Sequence, residues 1–159
     1  MNPTEPPRMR RTRPVDLAVP LVVVGAIAYG LLRAEYGSLP TLGYFAPVPL
    51  VALGLVEFVA ARRVRAAVRH EPHARPMAAI VIARCVALGK ASSLAGAALA
   101  GAACALLARV LPDSGSVTAA AHDARAGAFL LAACVLVVVA GLVLERAGID
   151  PGSDERNHR

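Results

Sequence analysis

Two ionisable side chains stand within or beside apolar stretches and are the first candidates for chemistry. Glu57 interrupts the apolar run that ends at Ala61, and Lys90, the only lysine of the chain, immediately precedes a charge-free run from Ala91 to Ala108. A charge in hydrocarbon is costly unless it is paired or faces a protein-lined space, so it marks a functional site by default. Glu57 lies five residues before Arg62, which at ~1.5 Å per residue places it ~7 Å inside the inner boundary of a bilayer. Lys90 reaches a similar depth. The expectation is an intramembrane Glu57–Lys90 ion pair, supported by Ser92 and Ser93. Its plain role is structural, as a tie between helices or as two separately snorkelling chains; its sharper role is a relay in transport.

Other groupings carry less. His70-Glu71-Pro72-His73 holds metal-capable side chains, but Pro72 breaks the helix that would align them and no third ligand is near, so no metal is expected. His122-Asp123 pairs a base with an orienting carboxylate, without a nucleophile beside them. Neither a P-loop, a GxSxG turn nor a zinc signature is present. The chain therefore offers no catalytic residue, and neither enzyme activity nor a cofactor is expected. Cys85, Cys104 and Cys134 fall within or at the edge of apolar blocks and make no CxxC. They read as small core residues and not as a disulfide framework.

The elements that must position Glu57 and Lys90 follow from the apolar blocks. Hydrophobic residues make up 57% of the 159, mean hydropathy is +0.57, and there is no tryptophan. Long charge-free blocks of Ala, Val, Leu and Gly are the pattern of helices solvated by lipid. The expected fold is an all-α membrane protein, an antiparallel bundle of four transmembrane helices over residues 15–145, with spans at about 15–32, 44–61, 86–110 and 127–144. A basic cytoplasmic arm over 1–14 and a mixed-charge cytoplasmic tail over 146–159 should be disordered. The first block resembles a signal peptide with Ala26-Ile27-Ala28 as a cleavage site, yet it runs on through Leu31 and Leu32, so it reads as an anchor. Between Pro76 and Pro112 no breaker stronger than Gly occurs. A helix of that length spans ~52 Å, too long for one crossing, so its first turns should project into the cytoplasm. The connections are read as a turn over 33–42, a basic loop over 62–75 and a polar loop over 113–126.

Orientation follows from the arginines. Arg8, Arg10, Arg11 and Arg13, then Arg62, Arg63, Arg65, Arg69 and Arg75, then Arg146, Arg156 and Arg159 fall on one side of the expected spans; Arg33, Arg109 and Arg125 fall on the other. The positive-inside rule puts both termini and the middle loop in the cytoplasm, in the cell (inner) membrane. The net charge of +6 is thus a collar for anionic lipid, with Arg62, Arg63, Arg65, Arg69 and Arg84 on headgroups, and no nucleic-acid partner is expected. Tyr29, Tyr36 and Tyr44 gather round the first hairpin as an outer aromatic belt.

On a helical wheel, Lys90, Ser93, Ala97 and Gly101 share one face and Leu88, Leu99 and Leu106 the opposite one. Small residues allow close helix approach in lipid. Gly89, Gly96, Ala97 and Gly101 are therefore the expected packing positions, widened by Ser92, Ala100 and Ala103, and the third helix should be central, touching two neighbours. Gly54, Ala60 and Ala61 flank Glu57 in the same way. Such faces also suit a homo-oligomer or another membrane protein.

The segments Tyr36-Gly37-Ser38-Leu39-Pro40, Glu57 ahead of a basic stretch, Ala83-Arg84, and Ala87-Leu88-Gly89-Lys90-Ala91-Ser92-Ser93-Leu94-Ala95-Gly96-Ala97 resemble a small actinobacterial membrane family, domain of unknown function family 3180. The likeness runs from the first apolar block to Glu145. It implies four spans and genes often near folate-biosynthesis genes; it transfers no activity and no site residue. The expected function is a non-catalytic accessory or scaffold of the cell envelope. The alternative is a small carrier or permease component using Glu57 and Lys90.

Overall fold

The computed structural model describes residues 12–35, 43, 45–69, 71, 76–115 and 117–148. Most of the arm and tail expected to be disordered, together with Tyr36, Tyr44, His70, His73 and Arg75, lies outside these residues.

Prolines, glycines and one carboxylate set the helix ends. Helix α1, Pro14–Glu35, starts on a proline, whose missing N–H is not needed in a first turn. The Arg13 N–H donates to Asp16 Oδ2 at 2.9 Å, the reciprocal half of a capping box. Helix α2, Val48–Val68, follows Pro47 and carries a second proline in its first turn. Helix α3, Ala79–Val110, gives way to a single 3-10 turn, Leu111–Asp113, at Pro112. Helix α4, Thr118–Ala147, ends at Gly148.

All three connections differ from the sequence reading: residues 33–35, read as turn, end α1, and α2 starts at Val48 and not at 44. Residues 62–68, read as loop, are the last two turns of α2. Arginine is a good helix former and Arg62-Arg63-Val64-Arg65-Ala66-Ala67 contains no breaker, so charge alone does not end the helix. Residues 118–126, also read as loop, open α4. Thr118-Ala119-Ala120-Ala121 starts the helix, and His122, Asp123 and Arg125 are carried along on it.

Among the described residues, α1, α3 with its 3-10 turn, and α4 are long and apolar enough to cross a membrane. Helix α2 is not among them, because Glu57, Arg62, Arg63 and Arg65 occupy its 21 residues.

Helix α3 lies between α1 and α4; α2 packs on α4 and only lightly on α3, and α1 touches neither α2 nor α4. The helices thus form an open row, α1–α3–α4–α2, bent at its end so that α2 also meets the edge of α3. Gly89 sits against Gly141, and Gly96 against Cys134, Val137 and Val138, so α3 and α4 run antiparallel. Gly54 sits against Leu136, while Ala61 and Val64 pack on Leu144, so α2 runs parallel to the second half of α4.

The core between these helices is built from small side chains. Ala97, Ala100, Ala103, Ala126, Ala133 and Ala140 are buried, while Val19, Val22, Ile27, Leu88, Leu99 and Phe129 are exposed. Water would favour the reverse distribution. In lipid, apolar surface gains nothing by hiding, and helices associate where small residues bring backbones close.

Candidate functional site at the junction of α2, α3 and α4

Helix α2 buries one stripe, Gly54, Glu57, Ala61 and Val64, at the three- and four-residue spacing of a single helical face. Its neighbours Leu136 and Leu144 bracket the depth of Glu57 on α4. Glu57 is only 1% exposed, and neither carboxyl oxygen has a hydrogen-bond partner. The side chain beside it is Ser92 of α3, which is itself buried but falls short of hydrogen-bond geometry.

Lys90 is exposed, and the expected Glu57–Lys90 pair is not made. The reason lies in helix geometry. Residues 90 and 92 are two positions apart, about 200° around an α-helix. Ser92 is on the side of α3 that meets Glu57, so Lys90 must face away, on the side where Gly101 meets Leu21 and Gly25 of α1. Ser93 is fully buried, but its hydroxyl donates to the Lys90 carbonyl at 2.9 Å. That bond satisfies it within its own helix.

The packing positions lie at the two seams of α3. A Cβ built on Gly89 would fall 2.6 Å from the Gly141 carbonyl oxygen, and one on Gly141 would fall 2.6 Å from that of Gly89. Gly101 abuts the Leu21 carbonyl of α1 and the Gly25 nitrogen, while buried Ala97 lies one turn from it. One helix therefore presents separate glycines to two partners.

A second buried carboxylate escaped the sequence reading. Glu145, in the last turn of α4, is 4% exposed. Its Oε1 accepts the Thr12 N–H at 2.7 Å, while its Oε2 and the Thr12 hydroxyl are buried without partners. The available signal was that Glu145 follows Gly141 by one turn on the same face, directly after a charge-free run.

The arginines expected on headgroups fall in three places. Arg62 stacks its guanidinium over the Phe58 ring, 4.8 Å from the centroid. With Arg65, Arg69 and Arg146 it lines a groove of about 560 Å³ between the ends of α2 and α4. Arg63 lines a different, mainly apolar groove with Leu55, Val59, Met77 and Cys85. Arg84 is exposed on α3.

Of the cysteines, Cys134 is buried and Cys85 half-buried, but Cys104 is exposed and so is not the core residue expected. His122 Nδ1 and Asp123 Oδ1 stand 3.4 Å apart in the first turns of α4. Among the described residues no group of three metal-capable side chains converges.

These features define a class: a small all-α protein with three helices apolar enough to cross a membrane, joined by glycine seams around enclosed carboxylates. Residues 17–151 match the family model described as "Protein of unknown function (DUF3180)". The chain belongs to that family. No curated protein and no solved structure matches it.

Proposed function

We propose that this is a four-span protein of the cell membrane with both ends in the cytoplasm, serving as a non-catalytic accessory or scaffold for another membrane chain. The topology rests on the Thr12–Glu145 bond, which joins the start of α1 to the end of α4. If α1, α3 and α4 all cross, the chain must return between α1 and α3, and α2 is the return leg. The arginine distribution then puts the joined ends inside.

The scaffold reading is carried by the open row of helices. A row encloses no central path for a solute, and it leaves exposed apolar side chains on both end helices, Val19 and Val22 on α1, and Leu55 and Val56 of α2 along the groove toward α3. Photo-crosslinking residues placed at Val22 and Val56 in cells test it. Adducts of defined mass to a second copy or another membrane protein are expected from at least one position. Lipid adducts alone from both positions would overturn the reading.

The enclosed, unpartnered Glu57 favours a second reading, a small carrier whose substrate path forms between subunits. It requires ion or proton flux in proteoliposomes that Glu57→Gln abolishes while the variant stays folded. Equal dye-reported flux in empty and loaded vesicles would remove it.

A further inference from the structure

The geometry points to a binding site for one anionic phospholipid in the groove between the ends of α2 and α4. Its headgroup phosphate would lie among Arg62, Arg65, Arg69 and Arg146, and an acyl chain along Phe58 and Val143. The inference rests on the reading that this end of the bundle lies at the membrane surface.

Charge is the first argument. Among the described residues the groove is lined by four arginines and no acidic side chain. The two helix ends that converge there are both C-termini, each equivalent to roughly half a negative charge. These ends account for about one of the four positive charges. An excess of about three charges remains, enough to favour a dianionic over a monoanionic headgroup. Guanidinium groups bind phosphate oxygens in a planar, bidentate fork, which gives geometric selectivity beyond a diffuse basic collar.

The second argument is direction. Side chains on a helix lean toward its N-terminus, which in α2 is the membrane side. Arg62 follows that lean and lies over Phe58, one turn deeper. A guanidinium held down on an aromatic face at the edge of hydrocarbon meets a lipid phosphate more readily than bulk water. The rest of the groove is apolar, with Ala61, Val68 and Ala147 beside Phe58 and Val143. A phosphate rim over an apolar floor matches a phospholipid from headgroup to first methylenes.

Native mass spectrometry of the full chain in detergent, titrated with cardiolipin, phosphatidylglycerol and phosphatidylcholine, tests the site. One tightly held cardiolipin is expected, with phosphatidylglycerol weaker and phosphatidylcholine weakest. The triple variant Arg62→Gln/Arg65→Gln/Arg146→Gln should lose roughly a hundredfold in cardiolipin affinity, about fivefold per arginine. The variant Arg33→Gln/Arg109→Gln/Arg125→Gln, with the same net charge, should lose little. Wild-type affinity in the first variant, an equal loss in the second, or equal binding of phosphatidylcholine would overturn the site.

A photoreactive phosphatidylglycerol on the wild-type protein gives a readout independent of any variant's folding. Labelling concentrated in residues 58–69 and 143–148 supports the site, and labelling spread evenly over α1 and α3 overturns it. Binding in detergent does not depend on sidedness. The site can therefore fail while the topology stands, and a reversed topology would leave the site intact.

Discussion

The Thr12 N–H donates to Glu145 Oε1 at 2.7 Å, tying together residues 133 positions apart in the chain. Because α1 touches neither α4 nor α2, this bond links the N-terminal end of α1 to a helix that α1 itself never meets. Its geometry depends on small residues nearby. Gly89 lets α3 approach α4 so closely that its own Cβ would fall 3.0 Å from the Glu145 nitrogen.

Removing the donor should therefore loosen the N-terminal end of α1. Thr12→Pro deletes the N–H and leaves both Glu145 oxygens bare in a buried place. A hydrogen bond to a charged group contributes about 1.5–3 kcal/mol, so the melting temperature should fall by several degrees. Amide exchange over residues 15–20 should quicken while that of α3 changes little. Glu145→Gln keeps a carbonyl acceptor and should cost less. Equal exchange in Thr12→Pro and wild type would show that the bond contributes nothing.

The glycine seam gives an internal contrast. Gly89→Ala puts a methyl 2.6 Å from the Gly141 carbonyl oxygen, against backbone that cannot yield without parting α3 from α4. Overpacking of this kind costs about 1–3 kcal/mol. Gly30→Ala is the control, since a Cβ there meets nothing within 4 Å. In mid-helix it should be neutral or stabilising by about 0.5–1 kcal/mol. Thermal unfolding in one detergent compares the two directly, and a Gly89→Ala protein as stable as wild type would show that the seam can open without loss.

Thiol reactivity reads the exposure of α3 and α4. Cys104 is exposed and Cys134 fully buried. A small lipid-soluble organomercurial, which reacts with a protonated thiol and so does not need the thiolate that hydrocarbon suppresses, should label Cys104 in the folded protein and reach Cys134 only after denaturation. Simultaneous labelling of both would contradict the α3–α4 packing described above.

Much of this architecture is legible in the residues, because lipid imposes a coarse code. Charge-free blocks of sufficient length announce α1, α3 and α4, and the glycine and alanine stripe of α3 announces a helix with two neighbours. Helix ends are less legible. Asp123 and Arg125 look like loop residues, yet they ride on a helix begun by an alanine run, and Asp123 is buried. Arg62 and Arg65 look like a connection, yet nothing after Pro49 interrupts α2 until beyond Val68. Azimuth is harder still. Depth can be counted from a boundary, but which side of α3 meets α2 depends on where α1 and α4 sit, and that is set by distant glycines. Similar depth and a shared small-residue face do not bring Glu57 and Lys90 together, because Lys90 and Ser92 cannot both face the same neighbour.

That separation can be measured with a double-mutant cycle. Glu57→Met replaces a buried carboxyl, whose oxygens lack partners, with an apolar side chain of similar size. An unsatisfied buried polar group costs about 1–3 kcal/mol, so the variant should melt higher than wild type. Lys90→Met acts on the opposite side of α3 from the one that meets Glu57. The two effects should add, with a coupling energy below about 0.5 kcal/mol. A true ion pair would behave otherwise: removing either partner alone would leave an uncompensated charge, cost about 3–5 kcal/mol, and be largely recovered in the double variant. Coupling above about 1 kcal/mol in detergent or nanodisc would therefore restore the pair and with it the case for a relay; additivity with a stabilised Glu57→Met leaves Glu57 as an isolated carboxyl held in the α2–α4 seam.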